Sequence, residues 1–461
     1  LPADHTYPWS KVSFSSHLLL IPSILLGFSF VEYHHVLVLS RHSLEYIITI
    51  SFRGSDMTHK QAIMKGTFIL TLTGFATRFM GFFYRIFLSH TFGEEGVGLY
   101  QLVFPIYTLC FSLTSAGIEL ALSRCVATRI AQGQPKEARK LLYTSLFLTV
   151  TASCITTLLL QQNAVSISQT FLQEPRCTDL LIILSYVFPF SSIHSCICGY
   201  YFGLKQTKIP AVSQLIEQTA RIASVYFIYL YGERNGIHFG ISLAVAGLIA
   251  GEITSSLFCL RSIYGNKEFS KLSLFSLQKY FKYGRELITL SLPLTGNRVL
   301  LNILQSIEAV SIPVKLQTYG MSLKDSLSAY GVLTGMALPC ILFPSAITNS
   351  ISTMLLPTVA EIQALNNRKE LTNLIKKVSY SCIFLGSICC VALLAFGKWI
   401  GIFLFDSSMA GDFIITLAWI CPFLYTNNTF ISIINGIGKT TLSFAINSVS
   451  LSIRIFCVFF L

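Results

Sequence analysis

"LLYTSLFLTVTASCITTLLLQQNAVSISQTFLQ", residues 141–173, runs for 33 positions without an Asp, Glu, Lys or Arg. About 20 apolar residues suffice to cross the hydrocarbon of a bilayer. The apolar positions are continuous instead of alternating, so the stretch reads as a membrane helix and not as a barrel strand. The rest of the chain agrees. Of its 461 residues 53% are hydrophobic and 12% charged, about half the charge of a soluble domain, and mean hydropathy is +0.64.

Working outward, apolar runs predict eleven spans, near 66–91, 98–128, 139–162, 179–203, 209–231, 239–263, 284–311, 327–360, 372–396, 410–436 and 440–461. With the N-terminus in the cytoplasm, the inner loops hold 17 basic residues and the outer loops 5. That asymmetry is the positive-inside rule. It accounts for the net charge of +12 without nucleic acid.

The chain also repeats itself at an offset of 233 residues. Val126-Ala127 recurs as Val359-Ala360, Lys136-Glu137 as Lys369-Glu370, and Arg221-Ile222 as Arg454-Ile455; Gly203 matches Gly436 and Thr207 matches Thr440. An offset of six spans keeps both copies in one orientation, giving parallel repeats about an axis normal to the membrane. The expected fold is therefore all-α: a polytopic membrane protein with two pseudo-symmetric six-helix bundles around a central cavity, the second incomplete. Residues 57–263 form the first bundle, 264–283 a basic cytoplasmic linker, and 284–461 the second. Residues 1–56 are irregular, and Met57 or Met64 is the expected natural start, with what precedes it a reading-frame artefact. The last span breaks off in its middle, as in a fragment.

The first span carries "GFATRFMGFFYR", residues 74–85. A guanidinium at bilayer depth costs several kcal/mol unless it is paired or hydrated. Arg78 and Arg85 are seven residues apart, so they point the same way about 10 Å from each other. Either a buried ion pair or a wet cavity must hold them. Glu119 and Glu308 are the candidate counter-charges. The seventh span opens the second half and holds Arg298, with Asn302 one turn later. Arginine suits phosphate because its fork bonds two oxygens at once. Arg78, Arg85 and Arg298 are accordingly the candidate diphosphate ligands, and Glu119, Glu252 and Glu308 the candidates for ion coupling or counter-charge. Glu217 and Arg221, at i and i+4, are expected to pair along one helix.

Other motifs carry less. The 13 cysteines lie in apolar segments and form no disulfide framework. His194, Cys196 and Cys198 in "HSCIC" crowd three ligands onto one helix, so no metal is expected. "NGIGKTT", 435–441, lacks the first glycine of a phosphate loop and follows a membrane helix instead of a strand. Several prolines lie in or near spans, three of them in the eighth, where bending would serve alternating access.

"KGTFILTLTGFATRFMGFFYRIFLSHTFGEEGVGLYQLVFP" resembles the opening of the stage V sporulation protein B group of polysaccharide-biosynthesis membrane proteins. "SLPLTGNRVLLNILQSIEAVSIP" and "YGVLTGMALPCILFPSAITNSISTMLLPTVAEIQA" are similar to its second-half signature. The likeness covers roughly 57–461. The superfamily contains multidrug/sodium antiporters, O-antigen flippases and the lipid II flippase of cell-wall synthesis. Resemblance implies a plasma-membrane transporter that moves an undecaprenyl-diphosphate-linked glycan from the inner to the outer leaflet, in service of cell wall or spore cortex; a monomer is expected. By motif position it places Arg78 and Arg85 at the cavity arginines of the first helix, with Arg298 a looser match. It calls for no cofactor beyond a coupling ion. Two other readings stay open: a cation-coupled multidrug antiporter, which prefers a carboxylate-lined cavity, and a non-transporting scaffold of the sporulation or cell-wall machinery. No loop is long enough for the catalytic groups of a membrane-bound polymerase or acyltransferase, so no enzyme is expected.

Overall fold

The computed structural model describes residues 59–264, 277–364 and 368–460. The expected irregular N-terminal extension lies outside them, as does most of the expected linker. Residues 63–461 form one compact unit.

The described residues are helical throughout. The first helix, α1 (His59–Phe111), has 53 residues, about 80 Å of helix and far too long for one crossing. It breaks at Gly93, whose φ of 70° and ψ of 177° are open only to glycine. A π-helical turn at Ser112–Ala116 leads into α2 (Gly117–Ala131). There follow α3 (Pro135–Ser166), α4 (Cys177–Ser185), α5 (Val187–Gly203), α6 (Lys208–Arg234) and α7 (Ser242–Tyr264). The second half comprises α8 (Leu277–Thr318), α9 (Leu323–Gly331), α10 (Leu338–Leu342), α11 (Ser345–Ala364), α12 (Arg368–Phe405), α13 (Ser408–Ala418), α14 (Cys421–Gly436) and α15 (Thr440–Phe460).

Seven helices among the described residues are long and apolar enough to cross a membrane, and nine if α4/α5 and α13/α14, bent by 42° and 63°, are each one broken span. The first of these, Phe68–Ala131, is two crossings once divided at Gly93. Helix α6 is 27 residues long and misses that apolar test. Divided at Gly93, the described helices that pass it give at most ten crossings against the eleven expected. The eighth is broken where Pro344 interrupts the backbone between α10 and α11.

The 233-residue repeat is written into the helix ends. α4 and α13 stop at Ser185 and Ala418, and α5 and α14 at Gly203 and Gly436. Each pair keeps the offset. Alternate turns place Gly93, Gly236 and Gly320 at one face of the molecule and Gly133 and Gly438 at the other.

Helix α12 shows why such a sequence settles in lipid. Phe384, Ile388, Val391, Trp399 and Phe403 form an exposed apolar stripe, while Cys382, Gly386, Cys390, Leu393, Gly397 and Gly401 are buried against α13 and α14. Lipid is as apolar as leucine, so helices associate in membranes by close backbone approach, and small residues permit it. A Cβ at Gly411 would lie 2.9 Å from the Lys398 Cα.

Candidate functional site

The two halves meet near the Gly93 face. Ser89 donates to the Phe405 carbonyl at 3.1 Å, and the His90 Nε2 lies 2.8 Å from the Leu404 carbonyl. Beside them Gly98 and Gly331, equivalent residues of the repeat, press backbone on backbone: a Cβ on Gly331 would stand 2.7 Å from the Gly98 Cα. This closure lies on the pseudo-symmetry axis. Helix α8 ties the halves together along its length. Its first part packs on α2 and α3, with Glu286 accepting from Arg129 at 2.8 Å and Asn302 donating to the Thr108 carbonyl at 3.0 Å. Its later part packs on α15, where Glu308 meets Arg454 at 3.3 Å.

The arginines fall into two groups. Arg129, Arg176, Arg221 and Arg454 each face a carboxylate. The three singled out from sequence do not. Arg78 is exposed, and among the described residues it has neither a hydrogen bond nor an ion pair. Arg298 is likewise exposed and unpaired, with Glu119 within its electrostatic reach. Arg85 is half-buried and donates to the Thr334 carbonyl at 3.3 Å, a neutral partner on the opposite half. Of the two environments left open by the sequence, the described residues supply no ion pair to any of the three.

The expected counter-charges lie elsewhere. Glu308 is taken by Arg454, on α15, instead of by an arginine of α1. α8 and α15 are far apart in sequence, so no local pattern pairs these two residues. Glu119 is half-buried and, among the described residues, without an ion pair. Glu252 is buried on α7, its carboxylate 3.1 Å from the His194 Nδ1. Glu217 and Arg221 form the expected pair on α6, and Arg221 also lies in reach of Tyr100 and Tyr107 on α1. The Tyr84 Oη and Arg221 Nε beside it are buried and, among the described residues, have no hydrogen-bond partner. The first half thus contains a polar interior, Glu119, His194, Glu217, Arg221 and Glu252, that sequence reading broke into separate helices. The i, i+4 pair was its one visible sign.

A model of the polysaccharide biosynthesis protein family matches residues 63–363. The chain belongs to this family. Among curated proteins it is 31% identical over 363 residues to stage V sporulation protein B of Bacillus subtilis (strain 168), an alignment covering 78% of this chain and 70% of that protein. It is 23% identical over 343 residues to the lipid II flippase MurJ of the same strain, covering 70% of this chain and 62% of the flippase. Among solved structures it resembles an inward-facing multidrug resistance transporter of the MATE family and MOP superfamily (TM-score 0.59, 14% identity, 81% of this chain and 83% of that one). A MOP-superfamily transporter from Pyrococcus furiosus, described as having a binding pocket of reversed polarity, superposes equally well (TM-score 0.59, 14% identity, 88% and 92%). This member of the family is a multi-pass membrane protein of the flippase and exporter type, built as two bundles. Its relatives are transporters and flippases, not enzymes.

Proposed function

We propose that the chain flips a lipid-linked oligosaccharide, an undecaprenyl-diphosphate glycan of the peptidoglycan-precursor type, across the plasma membrane by alternating access. The N-terminus faces the cytoplasm, and 57–263 and 284–461 are the halves that rock about the bound headgroup. Arg78, Arg85 and Arg298 take the diphosphate, the glycan crosses between the halves, and the prenyl chain stays in lipid. Glu119 is the coupling carboxylate, since Glu252 and Glu308 already have partners. One observation carries this reading: these three arginines lack the carboxylates that satisfy Arg129, Arg176, Arg221 and Arg454. A guanidinium at membrane depth with no ion pair of its own marks a functional site. The similarity to a lipid II flippase supports the same substrate class.

The test reconstitutes the protein in vesicles and follows translocation of a lipid-linked precursor. A charge-assisted hydrogen bond contributes about 1.5–3 kcal/mol. Arg78→Ala and Arg298→Ala should therefore each slow translocation at least about tenfold. Rates equal to the unmodified protein's would remove the arginines from the mechanism.

A further inference from the structure

In sequence His194, Cys196 and Cys198 crowd one helix, a poor arrangement for a metal. The fold separates them. Cys196 turns toward α3, its sulfur 3.1 Å from the Thr149 hydroxyl. His194 and Cys198, at i and i+4, share the opposite face of α5. Cys259 arrives there from α7, and the ligand atoms of His194, Cys198 and Cys259 all lie within 4.8 Å of one another. All three residues are buried, at 9%, 6% and 0% exposure.

The surroundings are those of a metal centre. The His194 Nδ1 lies 3.1 Å from the Glu252 carboxylate and 3.3 Å from the Ser255 hydroxyl. A carboxylate accepting from Nδ1 fixes the imidazole so that Nε2 carries the free lone pair, as in carboxylate–histidine–zinc arrangements. Nε2 in turn points to the sulfur side, where the Ser213 Oγ stands 3.0 Å from it and 3.5 Å from the Cys198 Sγ. That hydroxyl is an oxygen donor beside both, and it also donates to the Pro210 carbonyl at 2.9 Å. One imidazole and two thiols within 4.8 Å of one another, with a hydroxyl beside two of them, suit a tetrahedral ion of borderline softness.

We propose that this member of the family binds one Zn²⁺ between α5 and α7, through the His194 Nε2 and the thiolates of Cys198 and Cys259, with Ser213 at the fourth position and Glu252 orienting the imidazole. Charge balance selects the ion. Binding releases the two thiol protons as Zn²⁺ enters, so the site's net charge is unchanged. Cu⁺ in the same site would leave one negative charge in the membrane interior, which is costly. The ion pins two helices of the first half against each other, and nothing in the flippase cycle acts on it. The proposal therefore stands or falls apart from the substrate assignment.

The test purifies the full chain from zinc-replete cells on a non-histidine affinity tag and measures metal by inductively coupled plasma mass spectrometry. One zinc per chain is expected in the unmodified protein and in Cys196→Ser. Cys198→Ser and Cys259→Ser should fall to background. X-ray absorption at the zinc edge of the unmodified protein should show two sulfur neighbours at about 2.3 Å and nitrogen or oxygen at about 2.0–2.1 Å. This reading needs no variant to fold. Zinc-free unmodified protein, zinc retained by Cys198→Ser, or a shell without sulfur would each overturn the proposal.

Discussion

Gly331→Ala tests whether the closure at the Gly93 face is a glycine contact. An added Cβ would stand 2.5 Å from the Glu94 carbonyl oxygen and 2.7 Å from the Gly98 Cα. Ordinary contact begins near 3.5 Å, so the overlap is about 1 Å. Both obstacles are backbone, and no rotamer change relieves them. The halves must part locally or the helices must shift. Overpacking of this kind costs about 1–3 kcal/mol. Placed on one state of a two-state transporter, that cost shifts the balance against it by roughly 5- to 150-fold. Alanine also favours a helix over glycine by about 1 kcal/mol, which acts in both states. Gly296→Ala supplies the control, because nothing lies within 4 Å of its added Cβ. Spin labels at His238→Cys and Lys324→Cys, on exposed positions at this face, report the separation of the halves. In Gly331→Ala the short-distance population should shrink and a longer one appear, while Gly296→Ala leaves the distribution unchanged. Equal distributions in both variants would refute the argument.

Three further outcomes follow from the same geometry. Ser89→Ala removes the bond to the Phe405 carbonyl, worth about 1 kcal/mol, and should lengthen the same label distances by a smaller, about fivefold, population change. Arg78→Lys keeps the charge but loses the two-oxygen fork, so precursor translocation in vesicles should fall between that of the unmodified protein and Arg78→Ala. Arg454→Ala breaks the pair with Glu308, but Arg454 is 57% exposed, so thermal unfolding in detergent should report a loss under about 1 kcal/mol.

The architecture was legible because membrane helices declare themselves by local composition, and because a repeat without gaps repeats its helix ends as well. Gly203 and Gly436 were visible as matched letters and turned out to be matched helix ends. The split of the first helical run at Gly93 was legible too, since the first two expected spans part between residues 91 and 98. What stayed hidden was every contact joining distant segments. Glu308 had to wait for Arg454 on α15, and Cys259 for the face of α5 that turns Cys196 away. Periodicity assigns a residue to a side of its own helix; it does not say which helix stands opposite.

The repeat is symmetric in backbone and not in charge, and the difference has a residue behind it. Arg221 and Arg454 are equivalent positions. In the first half Glu217, one turn earlier, answers Arg221 within α6. Its counterpart in the second half is Ser450, so α15 has no carboxylate for Arg454, and Glu308 of α8 supplies one. The first half can therefore satisfy its arginine without help, while the second is joined through α8. The same helix packs against α2 and α3 at its other end and carries Pro293 and Pro313 along its length. A helix anchored by an ion pair to one half at Glu286 and to the other at Glu308 cannot stay fixed to both if the halves rock. Either an anchor breaks or α8 bends at its prolines, and with Glu286 and Glu308 about 33 Å apart along the axis, a bend at Pro293 keeps both pairs intact.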